Sequence, residues 1–268
     1  MVENIFDVSG SVVLVSGASR GIGEAIALAF SERDANVIIT GREQATLDET
    51  VSRINVGSGT VQGVVCDIAD EQSIAAGIDQ VIDSHGRIDT LVNCAGVNIR
   101  QPAEDYTAED FDFIFNINLR GTFLISQRVG KQMIAQGGGS QINIDSLSTH
   151  APLHQVVPYS MSKSGMSAMT RGLAGEWGPH GVRVNALAPG FILTDLTEKL
   201  WSSPKMQAWG NIVTPLRRLG RPVDMAGTAI FLASPASAFM TGQVLRVDGG
   251  ASAAMRWPIA DDFMVTED

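Results

Sequence analysis

The run Ser11–Val12–Val13–Leu14–Val15 is almost wholly apolar. It leads straight into Ser16–Gly17–Ala18–Ser19–Arg20–Gly21–Ile22–Gly23, and a helical pattern follows from Glu24 to about Arg33. A strand that is apolar on both faces must be covered on both. That requires helices on two sides of a parallel sheet. The glycines permit a tight turn and close approach of a phosphate to backbone amides, and the helix start that follows favours the anion. A plain glycine-rich turn is the alternative, but the position between a buried strand and a helix favours a nucleotide. The spacing is Gly-x-x-x-Gly-x-Gly, not Gly-x-Gly-x-x-Gly.

The same alternation continues along the chain. Further strands are expected at Asn36–Thr40, Val61–Cys66, Ile88–Val92, Ser140–Ile144, Val182–Leu187 and Gln243–Val247. Helical patterns cover 43–54, 70–85, 107–135, Pro158 to Trp177, and 222–234. Thr107–Ala108–Glu109–Asp110 has the form of a capping box, and Pro158 suits a first helical turn. Gly137–Gly138–Gly139 reads as a loop. The pattern predicts one α/β domain over the 268 residues, a doubly wound, mostly parallel seven-stranded sheet with helices on both faces. Residues 191–218 break the alternation and read as a substrate lid or a peripheral helical hairpin. The tail 252–268, with Trp257–Pro258, has no repeating pattern; it reads either as a disordered end or as a segment packed on a neighbouring subunit.

Composition narrows the function. Hydrophobic residues make up 44% of the chain, enough for a sizeable core. A net charge of −10 argues against nucleic acid or an anionic membrane as partner. Two cysteines, Cys66 and Cys94, both in apolar stretches, make a disulfide framework unsuited and fit a reducing compartment. No metal-ligand spacing, transmembrane-length run or signal-like N-terminus is present, so the expectation is a cytoplasmic protein without a metal.

Where the second strand ends, an NAD site usually carries Asp or Glu for the ribose 2′-hydroxyl. Gly41–Arg42 stands here instead, with Arg20 in the glycine turn. Guanidinium groups suit a 2′-phosphate, so NADP(H) is preferred, with NAD(H) as the alternative. Asp67, at the end of the third strand, either accepts from an adenine amino group or caps the helix that begins near Asp70. Asn93 is read as tying strand ends together, with Cys94–Ala95–Gly96 leaving room for a cofactor. Asn118 is either a satisfied core amide or a residue that bends its helix and holds a water. Ser146 follows the fifth strand, 13 residues before Tyr159, where an open α/β sheet places ligand chemistry. Tyr159 and Lys163 are four apart, one above the other on a helix face. A cation near a phenol favours the phenolate, making the pair a candidate general acid/base.

Ser16–Gly17–xxx–Gly21–Ile22–Gly23, Asn93–Cys94–Ala95–Gly96, Asn118, Ser146, Tyr159-xxx-Lys163 and Pro189–Gly190 occur in order and at consistent spacing. Through them the chain resembles the short-chain dehydrogenase/reductase family, to about Gly250. The Gly41–Arg42 turn, the Pro102–Asp105 region and the 191–218 segment are similar to gluconate 5-dehydrogenase-like and related polyol or ketone reductases. The resemblance implies a Rossmann-type fold and hydride transfer between a nicotinamide cofactor and a secondary alcohol or ketone. It implies that Tyr159 exchanges the proton, with its pKa depressed by Lys163, and that Lys163 binds the nicotinamide ribose. It further implies that Ser146 orients the substrate oxygen and Asn118 holds a relay water. Cofactor contacts are implied at Gly17, Ser19, Arg20, Gly21, Ile22, Gly23, Arg42, Asp67, Ile68, Asn93, Ala95, Gly96, Tyr159, Lys163, Pro189, Gly190, Ile192 and Thr194. Substrate contacts are expected at Ser146, Leu147, His154, Tyr159 and Trp201, and a homotetramer is implied. Three positions depart from the family pattern: Ser16 for threonine, Cys94 for asparagine, and Asp145 where small neutral residues are usual. Asp145 either perturbs the pocket, binds a substrate hydroxyl or points away; His150 and His154 either line the pocket or lie on a loop surface. Rival readings are a silent dinucleotide sensor, a sugar-nucleotide epimerase, which has a larger C-terminal domain, and an enoyl reductase, whose tyrosine and lysine are more widely spaced.

Overall fold

The computed structural model describes residues 4–253. Seven strands form one sheet: β1 (Val12–Ser16), β2 (Asn36–Gly41), β3 (Val61–Val65), β4 (Thr90–Asn93), β5 (Gly139–Ile144), β6 (Val182–Pro189) and β7 (Val244–Val247). The order is β3-β2-β1-β4-β5-β6-β7, and every pairing is parallel rather than mostly so. The apolar run in β1 explains itself at once. Val13 and Val15 enter one core, with Ile26 and Phe30. Val12 and Leu14 enter a second, with Ile78, Ile125 and Val184. Successive side chains point to opposite faces, so a strand buried on both sides needs apolar residues throughout.

One core is closed by α1 (Gly21–Ser31), α2 (Gln44–Ile54) and α9 (Ala226–Ala233). The other is closed by α3 (Glu71–His85), α5 (Thr122–Ala135) and α6 (Val157–Trp177). The expected capping box opens α4 (Ala108–Phe115): Thr107 Oγ1 accepts the Asp110 N–H, and the Asp110 carboxylate accepts the Thr107 N–H. Residues 191–218 contain two helices, α7 (Asp195–Trp201) and α8 (Pro204–Val213). The 222–234 pattern divides into a 3₁₀ turn at Pro222–Met225 and α9. The expectations for the tail from residue 254, including Trp257–Pro258, fall outside the described residues.

The pattern from 107 to 135 predicted one continuous helix. The structure interrupts it with a π turn at Asn116–Gly121 between α4 and α5. Gly121, at its end, packs tightly: a Cβ there would stand 2.1 Å from the Ile68 carbonyl oxygen. The bulge carries Asn118 inward. Gly121→Ala is therefore expected to cost about 1–3 kcal/mol, as overpacking does. It should appear as a lower denaturant midpoint at unchanged slope; an unchanged midpoint would refute this close approach.

Candidate active site

A cleft of about 450 Å³ opens above the carboxyl ends of the strands, where β1 and β4 lie side by side and the crossovers diverge. Its floor is the turn from Ser16 to Ile22. Gly17 has φ +72°, and a Cβ there would stand 2.5 Å from the Ala95 Cα, so only glycine fits. Gly23 lies beneath the turn, outside the cleft wall, where a Cβ would meet the Gly17 carbonyl oxygen. Arg20 is the N-cap of α1 but makes no side-chain capping bond. The first amides of α1 are thus left for an anion.

Arg20 and Arg42 both line the cleft and are exposed. Among the described residues no carboxylate forms an ion pair with either. Asp67 and Ile68 form the far wall. The capping alternative for Asp67 is overturned, since Asp70 caps α3 by accepting the Gln72 N–H. Asp67 instead accepts the Ala69 N–H at 2.9 Å within its own turn. Ala95, Gly96, Pro189, Gly190, Ile192 and Thr194 complete the lining, with Ser19 beside Arg20. Uncapped helix amides, two guanidinium groups and apolar walls at Ile22, Ile68 and Ile192 suit a nicotinamide dinucleotide.

At the other end of the cleft stand Ser146, Tyr159 and Lys163. α6 presents the last two on one face, with the Lys163 Nζ 5.8 Å from the centre of the Tyr159 ring. Lys163 is buried and donates to the Ile144 carbonyl at 2.6 Å. Burial lowers its pKa, which the charge of Asp145 opposes. The expected depression of the Tyr159 pKa is not found in the chain alone. Burial pushes the phenol up to about 12, with a smaller upward effect from Asp145 and Cys94; hydrogen bonding by Ser146 opposes the rise. Desolvation of the phenolate outweighs the Ser146 hydrogen bond. Cys94 is likewise pushed up to about 12 by burial, so its thiol stays neutral.

Ser146 opens a 3₁₀ turn at Leu147–Thr149. Its Oγ accepts the Ser148 N–H at 3.1 Å and the Ser148 hydroxyl at 3.0 Å. Both lone pairs are then engaged, so its own O–H is the group that reaches the Tyr159 phenol and the cleft. Asn118 is fully buried behind Gly96. It donates to the Val97 carbonyl and Ser162 Oγ and accepts the Val97 N–H. Asn93 donates to Asn143 and Ser126, tying β4 to β5 and to α5, and this holds it buried off the cleft wall, so the expected cofactor contact is not made.

Not every expected contact lies on the cleft wall. Leu147 is buried under its turn and His150 and His154 are exposed on the loop; none lines the cleft. Trp201 is corrected more sharply. It is 3% exposed, packs edge-on to Phe191 at 5.6 Å, and stands behind the cleft rather than in it. Its size and lid position suggested a substrate contact, but an aromatic cluster with Phe191 and Trp209 claims it. Sequence reasoning missed Thr40, Phe113, Ile117, Leu196 and Thr197 on the wall. Phe113 and Ile117 are four apart, a helical spacing that could have paired them; Leu196 had no local signal.

The fold and this site define a short-chain dehydrogenase/reductase, and the chain belongs to that family. A family model described as enoyl-(acyl carrier protein) reductase matches residues 17–252. D-Threitol dehydrogenase of Mycolicibacterium smegmatis is 40% identical over 245 residues, 91% of this chain and 94% of that protein. Gluconate 5-dehydrogenase of Gluconobacter oxydans is 34% identical over 252 residues, 94% and 98% of the two chains. Among solved structures, a gluconate 5-dehydrogenase of Burkholderia cenocepacia in complex with NADP and tartrate superposes with a TM-score of 0.91. It is 33% identical, with 94% of this chain and 99% of that one covered. The chain is an oxidoreductase acting on CH–OH/C=O groups. No helix among the described residues is long and apolar enough to cross a membrane.

Proposed function

We propose that the chain transfers hydride between NADP(H) and a small polyhydroxylated secondary alcohol or its ketone, a polyol or sugar acid. One observation carries the reading. Ser146, Tyr159 and Lys163 converge at one end of a cleft whose other end holds Arg20 and Arg42. The first-turn amides of α1, with Arg20 and Arg42, would hold the phosphates, and Lys163 the nicotinamide ribose. A nicotinamide bound there would supply the hydride in reduction and accept it in oxidation.

The chain's own residues handle the oxygen and its proton. The O–H of Ser146, which faces the Tyr159 phenol in the chain alone, donates to the substrate oxygen and fixes its direction. Tyr159 gives its phenolic proton to that oxygen in reduction and takes it back in oxidation. Two donors thus meet the charge that grows on the oxygen. Asn118 Oδ1 retains one lone pair toward Lys163. A Cβ built on Gly96 would lie 3.4 Å from that oxygen and 3.7 Å from Lys163 Nζ. A water in that space would link the two and replenish the proton.

The polyol class is supported by the named activities of the threitol and gluconate relatives. NADP(H) is supported by Arg42 and by the NADP of the Burkholderia structure; an NAD(H)-preferring enzyme is the second reading. The whole chain acts as one domain, with 191–218 as the lid. Leu196 supports this, being 58% exposed and on the cleft wall. A homotetramer is supported by exposed Phe113 and Phe123 on an apolar groove of about 700 Å³ along α4, α5 and α6. Two free cysteines suit the cytoplasm; recovery of the protein in a periplasmic or secreted fraction would sink that placement.

The test is a panel of polyols, sugar acids and simple ketones with both cofactors, together with light scattering. Turnover of a polyol or sugar acid with NADP(H), by a particle of four chains, is expected. Cofactor binding without turnover of any member would favour a silent sensor, and a monomer would remove the tetramer.

A further inference from the structure

Asp145 stands between the last residue of β5 and Ser146, and it is 2% exposed. No ion pair holds its carboxylate among the described residues. Burying a carboxylate costs several kcal/mol unless bonds and charges answer it. Here three bonds do. Oδ1 accepts the Ser146 N–H at 2.9 Å and the Thr149 hydroxyl at 2.7 Å. Oδ2 accepts the Ser167 hydroxyl from α6. The first two bonds close the 3₁₀ turn that aims Ser146. The third reaches across to α6 one helical turn beyond Lys163, on the same face. The turn carrying Ser146 and the helix carrying Tyr159 and Lys163 are therefore held together by one side chain.

We propose that Asp145 is a positioning residue of this active site, locking the Ser146 turn onto α6 and setting a negative charge against the Lys163 ammonium. This rests on the catalytic roles given above for Ser146, Tyr159 and Lys163. The groups facing the pair are few. α6 supplies Tyr159, Lys163 and Ser167, Cys94 follows directly on β4, and Asp145 directly on β5. With the Cys94 thiol held neutral by burial, the Asp145 carboxylate is the acidic group set against Lys163. Its field makes both Lys163 and Tyr159 hold their protons more firmly. That keeps Tyr159 a proton donor, the state that carbonyl reduction requires.

Asp145→Asn removes the charge while leaving an oxygen for Ser146 and Thr149 and an amide that can donate to Ser167. Ser167→Ala cuts the tether to α6 and leaves the charge. Both are measured on the full chain with a substrate that the parent turns over. For Asp145→Asn the pH profile of kcat/KM is expected to move toward acid by about half to one unit. Ser167→Ala is expected to lower kcat about three- to tenfold through misplacement of Ser146, with the profile and the cofactor KM unmoved. An activity-free reading uses the Tyr106→Phe background, in which Tyr159 is the remaining one of the chain's two tyrosines. Ultraviolet titration of its phenolate should show the same acid shift in Asp145→Asn. A profile and a titration superimposable on the parent overturn the charge role, and full kcat in Ser167→Ala overturns the tether, whether or not Asp145→Asn folds. A parent that turns over nothing refutes the catalytic reading instead.

Discussion

Tyr159→Phe is expected to lower kcat by about 10²–10⁴-fold, the usual worth of a placed general acid/base, while cofactor binding stays close to that of the parent. The phenyl ring fills the same space on α6, so the fold has no reason to change. What is lost is the phenol that moves a proton to or from the substrate oxygen. Ser146 can donate, but a serine hydroxyl is too weak an acid to give its proton up. The sign of the pH dependence follows from the phenol's environment. Burial pushes Tyr159 up to about 12 in the chain alone. Alcohol oxidation needs the phenolate, so its kcat/KM should climb with pH, approaching tenfold per unit well below the pKa. The climb should end where Lys163, lowered by burial, loses its own proton. Ketone reduction needs the neutral phenol and should be flat through neutral pH. The residual activity of Tyr159→Phe should lose the climb. Steady-state rates in both directions against pH check each part. Retention of full turnover by the phenylalanine variant would end the assignment.

What the sequence discloses here follows how local each feature is. The glycine turn and the Tyr159–Lys163 spacing are set within a few residues, and the fold places them as expected. Asn93 was also legible, because a polar residue at the end of a buried strand must bond sideways. Features fixed by distant contacts were not. The tight seat of Gly121 in the π turn is set by Ile68, far away in the chain. The upward shift of Tyr159 depends on how completely other segments exclude water from it. Asp145 was ambiguous because its partner Ser167 is 22 residues on, across the interface with α6. Asp67 and Asp70 are equally plausible caps by composition, and only the path of the chain selects Asp70. Trp201 shows the limit for large apolar residues in an irregular segment, where a lid contact and a buried prop have the same signature.

Arg42 should decide the cofactor. The parent is expected to use NADPH over NADH, and Arg42→Asp to reverse that order. The physical case is one of charge. A 2′-phosphate brought to the end of β2 meets two guanidinium groups, Arg20 and Arg42, both on the cleft wall and neither committed to a carboxylate among the described residues. Glu43 follows directly, but it accepts from Thr46 at the start of its own helix. A charge-assisted bond to such a phosphate is worth about 10- to 100-fold in binding. Both arginines are exposed, so salt should erode part of it. Arg42→Gln should therefore shrink the NADPH/NADH ratio of kcat/KM by about tenfold. Arg42→Asp should go further, because aspartate repels the phosphate and can accept from the 2′-hydroxyl of NADH. Because Arg42 is far from Tyr159, kcat with saturating cofactor should hardly change. Fluorescence titration of each cofactor against each variant separates binding from turnover. An NADH-preferring parent, or an Arg42→Asp variant with the parent's ratio, would give the phosphate site to Arg20 alone or remove it altogether.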